Sequence, residues 1–98
     1  MTLPVILRPE AEQDLGSAEA WYEQQRTGLG AAFLARVSVA LDQIAAMPEL
    51  YGIIWHDVRF CRLRRFPYVV YYRALADRVE VLAVLHGNRD PSVWQSRA

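Results

Sequence analysis

The sequence has no lysine, so each fixed positive charge among its 98 residues is one of eleven arginine guanidinia. Guanidinia make planar, bidentate contacts with carboxylate or phosphate and do not give up a proton, which excludes lysine-type nucleophilic or acid–base chemistry. Cysteine is almost as scarce. Cys61 is alone, so no internal disulfide can form, nothing demands an oxidising compartment, and a reducing cytoplasm is the expected setting. With only His56 and His86 beside that one thiol, no zinc-ligand spacing can be assembled, and neither a metal nor any other cofactor is expected. A glycine-rich phosphate loop after a strand is also missing, since Gly28 and Gly30 fall between two helical patterns and read as a turn. No apolar run approaches the roughly 20 residues that cross a bilayer. Met1–Leu7 is apolar but carries no basic residue and no small-residue cleavage site, so neither a signal peptide nor a membrane role is expected.

What remains is a composition near the globular norm, 53% hydrophobic and 22% charged. One domain over residues 1–98 is expected, because the chain is too short to supply a second core. A chain of this size has modest stability, which a bound partner would raise. The zero net charge hides an asymmetry. Residues 1–57 hold three arginines against eight acids, and residues 58–98 hold eight arginines against three acids.

Thr2–Leu7 reads as a short strand closed by Arg8-Pro9, the proline suiting a first helical turn. Ala11, Leu15, Ala18 and Tyr22 then recur at helical spacing with Trp21 beside them, and Glu10, Glu12 and Asp14 load the helix start with the favourable charge. A second helical stripe, Leu29, Phe33, Val37, Ala40, Leu41 and Ile44, ends at Met47-Pro48. The short link between the two predicts an antiparallel helical hairpin. After an irregular stretch, Glu49 to Asp57, the period becomes two. Val58–Leu63, Tyr68–Arg73 and Val79–His86 are β-branched and aromatic, with hairpin-sized links between them. They predict an antiparallel meander. The last two are apolar on both faces, so one face should meet the hairpin and the other the C-terminal segment or another protein.

Two constellations can carry chemistry. Arg59, Arg62, Arg64 and Arg65 form a basic cluster, and the apolar strand at Val79–His86 ends in a polar loop with His86, Arg89 and Trp94. With an RNA ligand, the arginines would hold phosphates, Trp94 would stack on a base and His86 would move a proton near neutral pH. The competing readings are a solvated arginine face, a structural histidine and a core tryptophan. Glu19 and Glu23, one helical turn apart, read as a solvated face, and Cys61 as a small core residue.

The ordered set Trp21-Tyr22-Glu23-Gln24-Gln25, Gly28-Leu29-Gly30, Phe33-Leu34, Pro48, Val58-Arg59, Phe66-Pro67-Tyr68, Val70-Tyr71-Tyr72, Val84-Leu85-His86, Arg89-Asp90-Pro91 and Trp94 closely resembles the RelE/ParE toxin superfamily of plasmid-stabilisation proteins. The resemblance covers almost the whole chain. It implies an α+β, RelE-like two-layer fold: an N-terminal strand, a helical hairpin, then a β-meander with the first strand beside the last. It also implies a cognate antitoxin, whose acidic segment would mask the arginines, and a place in a higher-order toxin–antitoxin complex. RelE-like members cut messenger RNA on the ribosome, whereas ParE-like members poison DNA gyrase. Carried over, Arg59, Arg62, His86 and Arg89 are the catalytic candidates of a ribonuclease. Arg59, Arg62, Arg64, Arg65, His86, Arg89 and Trp94 are the candidates for binding target or antitoxin. The nuclease lysines have no counterpart, and Trp94 falls near a C-terminal tyrosine but cannot ionise, so the ParE-like branch is favoured and a non-enzymatic gyrase inhibitor is expected. A ribosome-dependent endoribonuclease and a non-toxic antitoxin-binding module are the alternatives.

Overall fold

Pro9 opens the first long element because its missing N–H is an orphan donor in a first helical turn. The computed structural model describes residues 2–98; Met1, part of the apolar N-terminal stretch, lies outside them. The elements are β1 (Val5–Leu7), α1 (Pro9–Gln25), α2 (Leu29–Ala46), β2 (Ile53–Trp55), β3 (Val58–Arg62), β4 (Tyr68–Ala74), β5 (Val79–His86) and α3 (Pro91–Gln95). The five strands form one mixed sheet in the order β1-β5-β4-β3-β2. β1 runs parallel to β5, and every other pair is antiparallel. The expected α+β fold, with the first strand beside the last, is the one found.

Gly28, at φ 90°, turns the chain between α1 and α2. Glu23 does not lie on a merely solvated face. Its carboxylate accepts the Gly28 N–H at 3.0 and 3.1 Å and the Gly30 N–H at 3.1 Å, so α1 supplies the acidic cap that the N-terminus of α2 requires. The helices cross closely at Gly30, where a Cβ would stand 2.8 Å from the Glu19 carbonyl oxygen. Gly30→Ala should therefore cost about 1–3 kcal/mol through overpacking. Urea unfolding will show this as a lower midpoint at unchanged slope; an unaltered midpoint would mean that the hairpin gives way freely.

α2, at 18 residues, is long and apolar enough to cross a membrane, but Phe33, Val37, Ala40 and Ile44 are buried in the core between the hairpin and the sheet. Trp21, expected beside the α1 stripe of Ala11, Leu15, Ala18 and Tyr22, is 55% exposed. Its neighbour Tyr22 takes the core position, stacked on Phe33 with ring centroids 5.3 Å apart, and successive helical residues point about 100° apart.

A second apolar core covers the opposite sheet face, built from Val58, Val69, Tyr71, Leu82, Ala83, Leu85 and Trp94. β5 carries one extra residue there: Tyr71 pairs with Ala83 and Tyr72 with Val81, leaving Leu82 as a bulge. The C-terminal segment closes this face, with Asp90 capping α3 by accepting the Ser92 N–H at 2.9 Å and Trp94 stacked on Tyr71 at 4.6 Å. Two elements depart from the sequence reading. The stretch taken as irregular contains β2, which is too short to show a period, and the polar C-terminal loop contains α3, a helix of 5 residues.

Candidate functional site

Period-two geometry separates arginines that the sequence places together. Arg59 is paired across the ladder with Tyr72, on the helical face, and donates to the Tyr51 carbonyl at 2.6 Å and the Glu49 carbonyl at 3.3 Å. Its guanidinium thus ties down the segment between α2 and β2. Tyr72 anchors the same segment, its hydroxyl donating to the Pro48 carbonyl at 2.6 Å, and burial pushes its phenol up to about 12. Arg62 leaves the opposite face of β3, paired with Val69, with its guanidinium 5.6 Å from the centre of the Phe60 ring.

Arg62 and His86 meet at the end of the sheet. Both line an open cleft of about 490 Å³ together with Tyr68, Gly87 and Asn88. The loop holds its shape because the Gly87 N–H donates to the Pro67 carbonyl at 2.8 Å and the Arg89 N–H to the His86 carbonyl at 3.0 Å. On its other side His86 shares a second cleft, about 270 Å³, with Arg89, Asp14 and Trp21. Arg62, His86 and Arg89 are therefore brought to one end of the sheet. Arg59 is not, and Arg64 and Arg65 ride the turn between β3 and β4, lining other clefts beside α2.

The chemistry available at this end is narrow. The Asn88 N–H donates to His86 Nδ1 at 3.0 Å, so in the neutral ring the proton sits on Nε2 and the histidine presents a donor rather than a base. No second acid–base partner is hydrogen-bonded to it among the described residues. Burial raises the Cys61 thiol and the Tyr71 phenol, removing both as nucleophiles near neutral pH. Trp94 is 2% exposed, so in this conformation it packs the core and offers no face to a base. Among the described residues no cluster of histidine, cysteine or carboxylate groups can hold a metal. The site is suited to binding an anionic or hydrogen-bond-accepting surface.

Sequence reasoning missed Arg97. It pairs with Asp14 at 2.7 Å, with 16% and 11% of the two side chains exposed, and also donates to the Leu82 carbonyl at 3.1 Å. Asp14 in turn accepts the Val84 N–H at 3.0 Å, and Arg8 donates to the Arg97 carbonyl. Asp14 and Arg97 lie 83 positions apart, too far for any local pattern to pair them.

Comparison with known proteins gives two positive findings. Residues 5–91 match the family described as the ParE toxin of type II toxin–antitoxin systems, parDE. The fold is similar to that of a solved structure titled the chromosomal ParDE TA system from P. aeruginosa, with a TM-score of 0.77 at 12% identity, over 87% of this chain and 96% of that one. No curated protein matches significantly.

Proposed function

The chain belongs to the ParE toxin family of type II toxin–antitoxin systems, and from that membership we propose that it is a single-domain cytoplasmic toxin that binds and inhibits DNA gyrase and is neutralised by a cognate antitoxin. The observation that carries the choice of target is the state of His86. It sits between Arg62 and Arg89 with Nδ1 already occupied by the Asn88 N–H, which supplies recognition but not the paired acid and base of strand cleavage. Arg62 and Arg89, both exposed, act as contacts and not as catalysts. The antitoxin masks the guanidinium-rich half and adds stability by mass action, and the pair assembles into a higher-order complex.

Purified toxin is expected to block gyrase supercoiling and accumulate cleaved DNA at near-stoichiometric amounts, with relief on adding antitoxin. Normal supercoiling under a large excess of folded toxin would reject gyrase as the target. The juxtaposition of His86 with two arginines also favours, in second place, a ribosome-dependent endoribonuclease. Codon-phased cuts in translated messages after induction would establish that alternative. Undisturbed growth on induction without antitoxin would leave only a non-toxic antitoxin-binding module.

A further inference from the structure

β5 keeps two free backbone groups past the point where β1 stops covering it, at Leu7 opposite Val81. Val84 and His86 stand opposite Val70 and Tyr68 of β4. The Gly87 N–H bonds the Pro67 carbonyl in that ladder, whereas the Val84 N–H turns to Asp14. Residues 84 and 86 therefore aim their peptide groups away from β4, toward α1. Of those four groups, Asp14 takes the Val84 N–H and the Arg89 N–H donates to the His86 carbonyl. The Val84 carbonyl and the His86 N–H have no protein partner among the described residues.

Both groups border the cleft of about 270 Å³ between α1 and the end of β5, where Ser17, Trp21 and Arg89 also line the wall. Ser17 and Trp21 stand one helical turn apart and are exposed. The His86 imidazole packs against Tyr68 on the same face, with ring centroids 5.6 Å apart. Arg89 has no carboxylate at ion-pair distance among the described residues, where the three ion pairs use Arg73, Arg78 and Arg97. One wall is thus aromatic, one is cationic, and the floor offers a free acceptor and a free donor.

We infer that this edge of β5 takes up an extended segment of the target protein in parallel register, with an apolar side chain against Trp21 and a carboxylate on Arg89; the proposal rests on the gyrase reading and specifies how the same site holds its target. One residue of a parallel strand donates to a carbonyl and accepts from the N–H two positions further on, which is the pair left at Val84 and His86. An antiparallel residue would need both groups of a single residue, and neither Val84 nor His86 has both free. β1 already runs parallel to β5, so the added segment continues that edge in the same direction. Its side chains alternate between faces, and the one beside His86 falls on the α1 face against Trp21. Tryptophan is a frequent anchor of protein interfaces. A nucleic acid fits less well, because α1 carries Glu10, Glu12, Asp14, Glu19 and Glu23 and no arginine, a field that repels phosphates.

The test combines hydrogen exchange and supercoiling inhibition, using the full-length chain and purified gyrase. In the free chain the His86 amide should exchange fast and the Gly87 amide slowly, and bound gyrase should slow His86 at least about 10-fold. Trp21→Ala, and separately Ser17→Trp as a steric block, should each weaken inhibition about 30-fold or more. Leu50→Ala, which truncates an exposed apolar residue beside the opposite edge strand β2, should stay within about 3-fold. Melting curves will identify any variant that fails to fold, and the His86 amide is read in the wild-type chain. Wild-type inhibition by both folded variants, or a His86 amide left unprotected in the gyrase complex, overturns the proposal and leaves gyrase as the target. No binding of gyrase by the wild-type chain rejects that target, and this proposal with it. Protection of the His86 amide by an RNA in place of gyrase would also overturn it.

Discussion

Asp14→Ala is expected to lower the free energy of unfolding by about 2–4 kcal/mol and the melting temperature by about 10–20 °C. The reason lies in where β1 ends. β1 pairs with β5 only as far as Leu7 and Val81, with the Arg8 N–H reaching the Val81 carbonyl. Beyond that point the edge of β5 has no neighbouring strand. Two side chains take its place: Asp14 accepts the Val84 N–H, and Arg97 donates to the Leu82 carbonyl. Removing the carboxylate leaves a largely buried guanidinium and a buried amide without partners, the costly half of a broken ion pair.

The damage should spread, because Arg97 also holds the segment that lays Trp94 over Tyr71. In Asp14→Ala the loop and α3 should become open to trypsin at Arg89, whereas Asp14→Asn, which keeps an acceptor for Val84, should fall between variant and wild type. A melting temperature within 2–3 °C of wild type, less than about 1 kcal/mol, with Arg89 still protected would show that Trp94 stacking alone secures the C-terminus.

The second large effect separates the two toxic activities. In a ribonuclease, His86→Ala removes the one imidazole of the cleft and should cut cleavage by about 100- to 10,000-fold. In a gyrase inhibitor the same change removes one donor, and inhibition should stay within about 3-fold of wild type. Arg62→Glu reverses the charge on the cleft wall and should weaken gyrase inhibition about 30-fold or more. Neither residue is part of the buried core, so both variants should melt near the wild-type temperature. Supercoiling assays and primer extension on induced messages, run side by side, read the split. Loss of gyrase inhibition in His86→Ala with none in Arg62→Glu would contradict the binding role assigned to the arginine.

Much of the architecture could be read from spacing. The helical stripes at Ala11 to Tyr22 and Leu29 to Ile44, and the alternation from Val58 to His86, correspond to α1, α2, β3, β4 and β5 within three residues at each end. Hydrophobic periodicity is a local consequence of burying one face, and it survives in the residue order. β2 and α3, at 3 and 5 residues, are shorter than the window over which any period can be recognised. Tyr22, a member of the α1 stripe, packs against Phe33, Phe66 and Tyr68 as its spacing predicts, whereas Trp21, about 100° further round the helix, faces outward.

The candidate site was legible only as composition. His86, Arg62 and Arg89 were named from residue type and position, but the Nδ1 contact that makes His86 a donor depends on a loop conformation that no pattern encodes. Arg59 stands three residues from Arg62, which puts it on the other face of β3, where it holds the backbone at Tyr51.

Residue order alone therefore set the helices, the longer strands, the two-faced central sheet, the absence of lysine chemistry and the toxin-family resemblance, because each is a property of short stretches or of counts. Three-dimensional packing alone decided that Arg97 reaches Asp14, that Trp94 goes inside, that Arg59 and Arg62 part company, and that Val84 and His86 keep free backbone groups beside Trp21. Those outcomes depend on contacts between distant segments, and such contacts exist only once the hairpin has closed on the sheet and the cost of ordering the chain has been met by burial on both sides of it.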